Sequence, residues 1–343
     1  MTALVSAALP AGISSPAPQG VQGSSAQHAG VAPSAQTASD GHAVAPADDV
    51  VEFVGRDGSR TRCSLWWRTT PVRQGRRTGF IGALASNDSS AVTGDDDRSI
   101  AALLMLACER LREAGCELAV GPVDGDTWHR YRLVTWSDGT PPFALEPWSA
   151  PDAVVPWERA GFAPLETYAS LRDDALAERD PRAVALTERF RAAGVTLRDL
   201  DHARFNEELA AVHALALRGF RGAPLYVPIA FEAFAALYRP LAARLDPRLC
   251  PVAEHDGRAA GVLFALRDPN APETVVLKTI VRDTDRRFAG LGAVLTDRAR
   301  AAAHALGATR AISALQHDGD VARSLCPRAV VFRRYAVFAK ELS

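Results

Sequence analysis

The sequence predicts a mixed α/β protein with two ordered halves, and three observations carry this prediction. Short runs rich in β-branched and aromatic residues alternate with longer segments in which apolar residues recur at helical spacing. The order hairpin, strand, helix, strand occurs in both halves. A length of 343 residues exceeds one compact core and suits two domains of roughly 100–200 residues each.

The composition excludes several classes of protein. Because 39 Lys and Arg residues balance 40 Asp and Glu residues, no overall positive field is available to hold a nucleic acid. Five scattered cysteines without a C-x-x-C pair, and histidines without metal-ligand spacing, predict neither disulfides nor a metal site. The strongest apolar run, Ile100 to Cys108, is far shorter than the ~20 residues that cross a bilayer. We therefore expect a soluble cytoplasmic protein that binds neither nucleic acid nor membrane, and its oligomeric state stays open.

Residues 1–48 are expected to form a disordered tail. They are rich in Ala, Ser, Pro, Gly and Gln and contain no aromatic residue, Lys or Arg. Such a segment cannot bury enough apolar area to offset its ordering entropy. A signal peptide is the alternative, but the segment lacks a positively charged start and Pro10 interrupts its apolar run.

The first ordered half is predicted to cover residues 49–172. Asp57 and Gly58 are typical of a hairpin turn, and Gly115 is typical of a helix end. From Gly121-Pro122 to Phe162 the sequence is rich in Pro and Trp and has little periodicity. The predicted elements are strands Val50–Val54, Arg60–Arg68 and Gly79–Leu84, a helix from Ser99 to Gly115, and a strand Glu117–Val120.

A charged helical connector, residues 173–194, is predicted to lead into the second half, residues 195–343. The Asp256-Gly257 step indicates a hairpin there, and Gly307 ends a long amphipathic helix. The predicted strands are Val195–Leu200, Pro251–Glu254, Ala259–Leu266, Glu273–Val281, Arg310–Leu315 and Val330–Ala339. The predicted helices are Phe205–Leu217, Pro228–Leu245, Gly290–Leu306 and a short one around Val321–Leu325.

The segment between the strand Glu273–Val281 and the long helix has the features of an anion site. Backbone N–H groups at a helix start point outward, and the helix dipole favours negative charge there. Gly290 and Gly292 allow a phosphate to approach the backbone closely, and Arg286 or Arg287 can add charge-assisted hydrogen bonds. We therefore expect this turn to bind a phosphate group.

Two common nucleotide motifs do not fit this turn. The dinucleotide fingerprint needs Gly or Ala where this chain has Leu295, and a P-loop needs Gly-Lys-Ser/Thr, which is absent. What is left is the pattern Arg-x-x-Gly-x-Gly, from Arg287 to Gly292. This hexapeptide resembles the acyl-CoA pyrophosphate loop of the GNAT superfamily of N-acetyltransferases.

The resemblance extends beyond the loop. The order of predicted elements over residues 195–343 is similar to that of the GNAT fold, and Gly121-Pro122, Pro141-Pro142 and Pro147-Trp148 resemble features of bacterial tandem GNAT-like proteins. The resemblance implies two tandem GNAT-like domains, each a mixed central sheet flanked by helices. Since the first half has Asp95–Asp97 in place of the glycine loop, we expect its helix to bind no cofactor.

The same resemblance implies direct transfer of an acyl group from acetyl-CoA, or another acyl-CoA, to a small-molecule amine, with no metal. It implies that the thioester carbonyl meets a backbone N–H of Ile280 or Val281. It also implies that the pyrophosphate binds the loop made of Arg286, Arg287, Phe288, Ala289, Gly290, Leu291 and Gly292. Two alternatives stay open: a CoA-binding module without turnover, and acyl transfer to a hydroxyl or to a carrier-protein thiol.

The acid and base of this reaction are predicted from position. GNAT enzymes often protonate the thiolate with a Tyr on the short helix after the next strand, but Ser324–Pro327 contains none. Tyr335 is therefore the candidate acid, with packing as its alternative role. His317, just beyond a strand end, is the candidate base, and Glu254 is a second one.

Aromatic residues are the candidates for binding the substrate. All six tryptophans lie in the first half, where they either pack between the halves or form a wall against the substrate. The predicted substrate-binding residues are Trp128, Trp148 and Phe220.

Overall fold

A computed structural model describes residues 44–55, 58–86, 94–319, 326 and 328–343. Within these residues, one mixed sheet is flanked by six α-helices. Its strands are β1 (Asp49–Val54), β2 (Arg60–Trp66), β3 (Thr78–Ser86), β4 (Leu118–Gly121), β5 (Leu133–Ser137), β6 (Ala163–Asp173), β7 (Thr196–Arg198), β8 (Val252–His255), β9 (Arg258–Asp268), β10 (Ala271–Arg282), β11 (Arg310–His317) and β12 (Val330–Glu341). Its helices are α1 (Gly94–Glu113), α2 (Val155–Arg159), α3 (Pro181–Ala192), α4 (Phe205–Gly219), α5 (Phe231–Tyr238) and α6 (Leu291–Ala305).

The sheet repeats one unit twice. Its strand order is β1-β2-β3-β4-β12-β6-β11-β10-β9-β8-β7, and β5 pairs additionally with β12. Only β3–β4 and β10–β11 pair in parallel among the described strands, and α1 and α6 make the two crossovers. Each parallel pair follows antiparallel strands, so the predicted mixed sheet with flanking helices in both halves is confirmed.

The last strands of the two halves exchange places at the centre of the sheet. The strand β6 lies between β11 and β12, and β12 lies between β4 and β6. Each half therefore completes the sheet of the other. The sequence analysis had no strand at Ala163–Asp173, although this strand joins the halves.

An apolar core also spans the halves. Trp128 of the first half packs edge-on against Phe220 and Phe234, with ring centroids 5.8 and 5.5 Å apart. Phe220 directly follows α4 and Phe234 lies in α5. Helix α4 packs on β9 and β10, and α5 packs on α4. The face of β10 opposite α6 is thus closed by residues from both halves.

Several boundaries differ from the predicted ones. Residues 44–48 lie along the end of β2. The Asp48 N–H donates to the Leu65 carbonyl of β2 at 2.8 Å, and its carboxylate accepts from the N–H groups of Trp67 (2.6 Å) and Arg68 (2.9 Å) just after the strand, so ordered chain begins before Asp49. The connector begins inside β6 and contains α3, whose N-cap is Asp180. Residues 1–43, the turn residue Asp57 and the helix predicted around Val321–Leu325 lie outside the described residues.

Among the helices of the described residues, none combines the length and the apolar character that a bilayer crossing requires.

Candidate functional site

A cleft opens between the two parallel strands of the second half. The strands pair from Thr274 to Leu277 on β10 and from Arg310 to Ser313 on β11, and then separate. Lys278 is an extra residue in β10 relative to β9, and β11 has a register shift against β6 after Ser313. We call the gap the β10–β11 cleft; residues that line it include Leu277, Thr279, Ile280, Ser313, Gln316 and Cys326.

Two polar side chains in this cleft lack partners. The hydroxyl of Thr279 and the Oε1 atom of Gln316 are buried and have no hydrogen-bond partner among the described residues. Gln316 is only 2% exposed. Because a buried polar group without a partner costs free energy, these atoms are suited to a ligand that supplies hydrogen bonds.

The turn after β10 leads directly into α6. Asp285 caps a short 3-10 turn by accepting a hydrogen bond from the Arg287 N–H at 2.9 Å. Gly290 is the N-cap of α6 with φ +94°, a conformation that favours glycine. The first N–H groups of the helix have no acceptor within it and lie at the positive end of its dipole. This end of α6 therefore suits an anion, as the loop pattern predicted.

The charges of the loop are arranged around Phe288. Arg287 forms an ion pair with Asp285 at 3.1 Å and its guanidinium lies over the Phe288 ring. Arg189 of α3 donates to the Ala289 carbonyl at 2.7 Å and holds the loop against that helix. Arg286 is exposed and has no ion-pair partner among the described residues, so its charge is available to a phosphate.

The strand edge that the resemblance assigns to the thioester is available as well. Ile280 and Val281 pair with Leu263 and Val262 of β9 on one side. On the side that faces β11, β10 has no strand partner beyond Leu277 among the described residues. This edge of β10 leads along the chain to the turn that precedes α6.

His317 lies at the end of β11 with both ring nitrogens engaged. Its Nε2 is 2.6 Å from the Glu166 carboxylate, and its Nδ1 accepts a hydrogen bond from the Gly319 N–H at 3.2 Å. Although burial raises it, the hydrogen bond from His317 and the charge of Arg73 hold the pKa of Glu166 below its usual value. The Nδ1 lone pair can accept a proton from an amine only after Gly319 moves.

Glu254 lies away from the cleft. Its carboxylate accepts a hydrogen bond from Arg198 at 2.7 Å, and this contact lowers its pKa. A carboxylate with a lowered pKa is a weaker base. Since β9 and β10 separate its strand β8 from β11, the structure does not bring Glu254 and His317 together.

Tyr335 is completely buried on β12. Its hydroxyl donates to the Glu146 carboxylate and lies 3.0 Å from the Ser170 hydroxyl. Burial and the neighbouring Glu146 raise the pKa of Tyr335 well above its usual value. Its proton is therefore held inside the protein rather than offered to a thiolate.

The three predicted substrate-binding residues pack internally. Trp128 and Phe220 contact each other in the core, and the Trp128 indole donates to the Val227 carbonyl at 2.9 Å. Trp148 lies against the Arg333 guanidinium, 4.5 Å from its ring centroid. In this arrangement Trp128 and Phe220 offer no surface to a substrate, which favours the packing alternative for both.

The sequence analysis missed Lys278. It is 2% exposed, its ammonium donates to the Leu145 carbonyl, and burial lowers its pKa to about 7. A signal was present, because only Lys278 and Lys340 among the chain's 39 basic residues are lysines. Arginine keeps its charge in proteins, so a buried lysine in an arginine-rich chain is a candidate functional group.

The topology decides the fold family. In each half antiparallel strands precede a parallel pair with a helical crossover, and in the second half a glycine loop starts that helix while the two strands separate. The chain has a tandem GNAT fold. This is the architecture that the loop resemblance implied.

A curated relative shares sequence with this chain. No protein-family model matches the chain. A bacterial ceramide synthase from Caulobacter vibrioides (strain NA1000 / CB15N) is 27% identical over 221 residues. The match covers 64% of this chain and 55% of the relative, so it spans about half the relative's length.

Solved structures with similar folds are distant in sequence. The GCN5-related N-acetyltransferase from Sphaerobacter thermophilus is 15% identical, with a TM-score of 0.48 over 84% of this chain and 79% of that chain. A tandem GNAT protein from the clavulanic acid biosynthesis pathway is 14% identical, with a TM-score of 0.43 over 87% and 84%. The C-terminal domain of a putative lysylphosphatidylglycerol synthetase from Agrobacterium fabrum is 10% identical, with a TM-score of 0.36 over 84% and 83%.

Proposed function

We propose that this protein transfers an acyl group from an acyl-CoA to an amine, with the donor bound in the β10–β11 cleft. The observation that carries the proposal is the combination of a parted strand pair, two unpartnered polar side chains and a glycine-capped helix start. The pyrophosphate would lie at the start of α6 near Arg286, and the pantetheine arm along the edge of β10.

The reaction needs little from the side chains. The amine attacks the thioester carbon, a C–N bond forms, the C–S bond breaks, and the thiolate leaves with the electron pair. The proton that the amine nitrogen loses passes through solvent to the thiolate, which gives the free thiol of CoA. A backbone N–H of Ile280 or Val281 would donate to the carbonyl oxygen as it becomes negative. Because free thiols have a pKa of about 8.5, the thiolate can leave near neutral pH without a strong acid.

The acceptor proposed first is a small-molecule amine, as the loop resemblance implied. The relative's name widens this choice, because a ceramide is the N-acyl derivative of a long-chain amino alcohol. A long-chain amino alcohol therefore belongs among the tested acceptors, and a long-chain acyl-CoA among the tested donors. Acetyl-CoA stays the reference donor.

The test is release of CoA thiol from acetyl-CoA and palmitoyl-CoA in the presence of small amines, long-chain amino alcohols, hydroxy compounds and carrier-protein thiols. We expect release that depends on an amine, and calorimetry that gives one CoA per chain. Gly292→Val is the control, because a side chain at the helix start keeps the pyrophosphate from the backbone. Release with hydroxy or thiol acceptors alone would overturn N-acylation.

A second candidate function is CoA binding without turnover. The observation that favours it is that His317 and Tyr335 are both held in internal hydrogen bonds. In that case calorimetry shows CoA binding that Gly292→Val removes, while no acceptor class releases thiol.

A further inference from the structure

A path made of hydrogen bonds and one peptide link crosses the protein beside the cleft. The Leu315 N–H donates to the Ser170 hydroxyl oxygen at 3.2 Å, and that hydroxyl lies 3.0 Å from the Tyr335 hydroxyl. Tyr335 in turn donates to Glu146, and the carbonyl of the preceding Leu145 accepts from Lys278. We call these six residues the inter-strand brace.

Five of the six brace side chains are buried, and that of Leu145 is partly buried. Ser170 and Tyr335 are 0% exposed, Lys278 is 2% exposed and Glu146 is 5% exposed. Arg333 balances the charge of Glu146 at 3.0 Å from its carboxylate. Hydrogen bonds in such a dry interior are stronger than in water, and losing one leaves its partner unsatisfied.

The two ends of the brace lie at the two places where the cleft opens. Lys278 is the extra residue of β10, immediately after its pairing with β11 ends. Leu315 lies in the irregular part of β11, with φ +58°. Leu145, which receives Lys278, has φ +61°, so a non-glycine residue is held in the left-handed region at both ends.

The connecting part of the brace comes from elsewhere in the chain. Leu145 and Glu146 lie in the segment after β5, and Ser170 lies on β6, so the first half supplies three of the six residues. Tyr335 lies on β12, the strand that enters the first half's part of the sheet. Residues of the half that has no glycine loop thus form part of the path between β10 and β11.

From this geometry we propose that the inter-strand brace sets the opening of the β10–β11 cleft, and that Lys278 and Tyr335 are positioning residues for the acyl donor. This proposal rests on the proposed function for the identity of the ligand. It assigns the first half a specific task, which is to hold apart the strands between which the donor binds.

The test is a double-mutant cycle with CoA as the probe. Tyr335→Phe keeps the ring and removes both hydroxyl contacts, and Lys278→Met removes the ammonium while keeping the chain length. We expect each change to raise the Kd of CoA about tenfold, a size typical of coupled sites. The double variant should bind no more weakly than the worse single variant, because both changes break one brace. The KM for the acyl-CoA should rise more than kcat falls.

Lys340→Met is the matched control. Lys340 also donates to a backbone carbonyl, that of Ala160 at 2.7 Å, but on the first-half part of β12. Its removal should leave the Kd of CoA unchanged. Equal effects of Lys340→Met and Lys278→Met, additive effects in the cycle, or an unchanged Kd in Tyr335→Phe would each overturn the brace.

Hydrogen exchange separates this proposal from the proposed function. In both brace variants, amide exchange should accelerate together at residues 279–282 and at residues 314–317, without ligand. If the parent protein binds no CoA, the proposed function is wrong, but the hydrogen-exchange measurement still tests whether the brace holds the two strands. Acceleration in one strand only, or in neither, overturns the brace whether or not CoA binds.

Discussion

In each half, the two parallel strands separate after a short paired stretch, but the gap that opens between them is filled differently in the two halves. In the first half, β3 and β4 pair only from Thr78 to Phe80, and the chain after β4 then turns back into the gap. There the Val123 N–H donates to the Ile81 carbonyl at 2.9 Å, and the Asp124 carboxylate accepts from the Ala83 N–H at 2.6 Å. In the second half, no described segment of the chain pairs with β10 in the corresponding gap.

The glycines of the first half show how closely its gap is filled. A Cβ on Gly82 would lie 2.2 Å from the Val123 carbonyl oxygen, and one on Gly121 would lie 2.3 Å from the Trp157 ring. The same topology thus gives a closed site where its own backbone and an aspartate satisfy the strand edge. In the second half, the Thr279 hydroxyl and the Gln316 Oε1 atom have no hydrogen-bond partner among the described residues.

The largest expected effect comes from separating the halves. Residues 195–343 alone lack β6, which lies between β11 and β12. We expect this fragment to show no cooperative thermal unfolding and no CoA binding, because β11 and β12 would each lose a paired edge. Circular dichroism and calorimetry on the fragment and the full chain measure this. A fragment that unfolds cooperatively and binds CoA like the full chain would show that the halves are independent.

A matched pair of glycine substitutions should show that one glycine is needed for CoA binding and the other for the stability of the fold. Gly292→Val should weaken CoA binding about a hundredfold or more, since the pyrophosphate would lose its backbone contacts. Gly82→Val should instead lower the free energy of unfolding by about 1–3 kcal/mol through overpacking against Val123. Its folded fraction should bind CoA with parental affinity and stoichiometry. If Gly82→Val lowers CoA affinity as much as Gly292→Val does, the proposed functional difference between the two halves is wrong.

The pH dependence of stability should single out Lys278. Its pKa is about 7 in the folded protein, against about 10.4 in unfolded chains, so between these values the unfolded state binds more protons. Stability from this residue therefore rises with pH in that window, by up to about 1.4 kcal/mol per pH unit. Lys278→Met should flatten the rise in urea-unfolding free energy between pH 7 and 9. Lys340→Met serves as the control, and equal slopes in Lys278→Met and the parent would exclude the buried lysine as its source.

The anion loop could be predicted from the sequence because its signals are local. The arginines and glycines from Arg286 to Gly292 lie within one turn and the start of one helix, and the structure forms that turn with Gly290 at φ +94°. The strand β6 could not be predicted in the same way. Its Glu166 and Arg172 interrupt the apolar pattern, and their partners His317 and Asp138 are distant in the chain.

Sequence by itself determined that the chain repeats one strand and helix unit and that only the second copy has a glycine loop. Both features can be predicted because each depends on residues that lie close together in the chain. Tertiary structure decided which groups remain available for chemistry. It engaged both nitrogens of His317, buried Tyr335 against Glu146, and brought Lys278 to Leu145, 133 positions away in the chain. These outcomes depend on the exchange of β6 and β12 between the two halves. Because such contacts join segments that are distant in the chain, they produce no periodic pattern of residues from which they could be predicted.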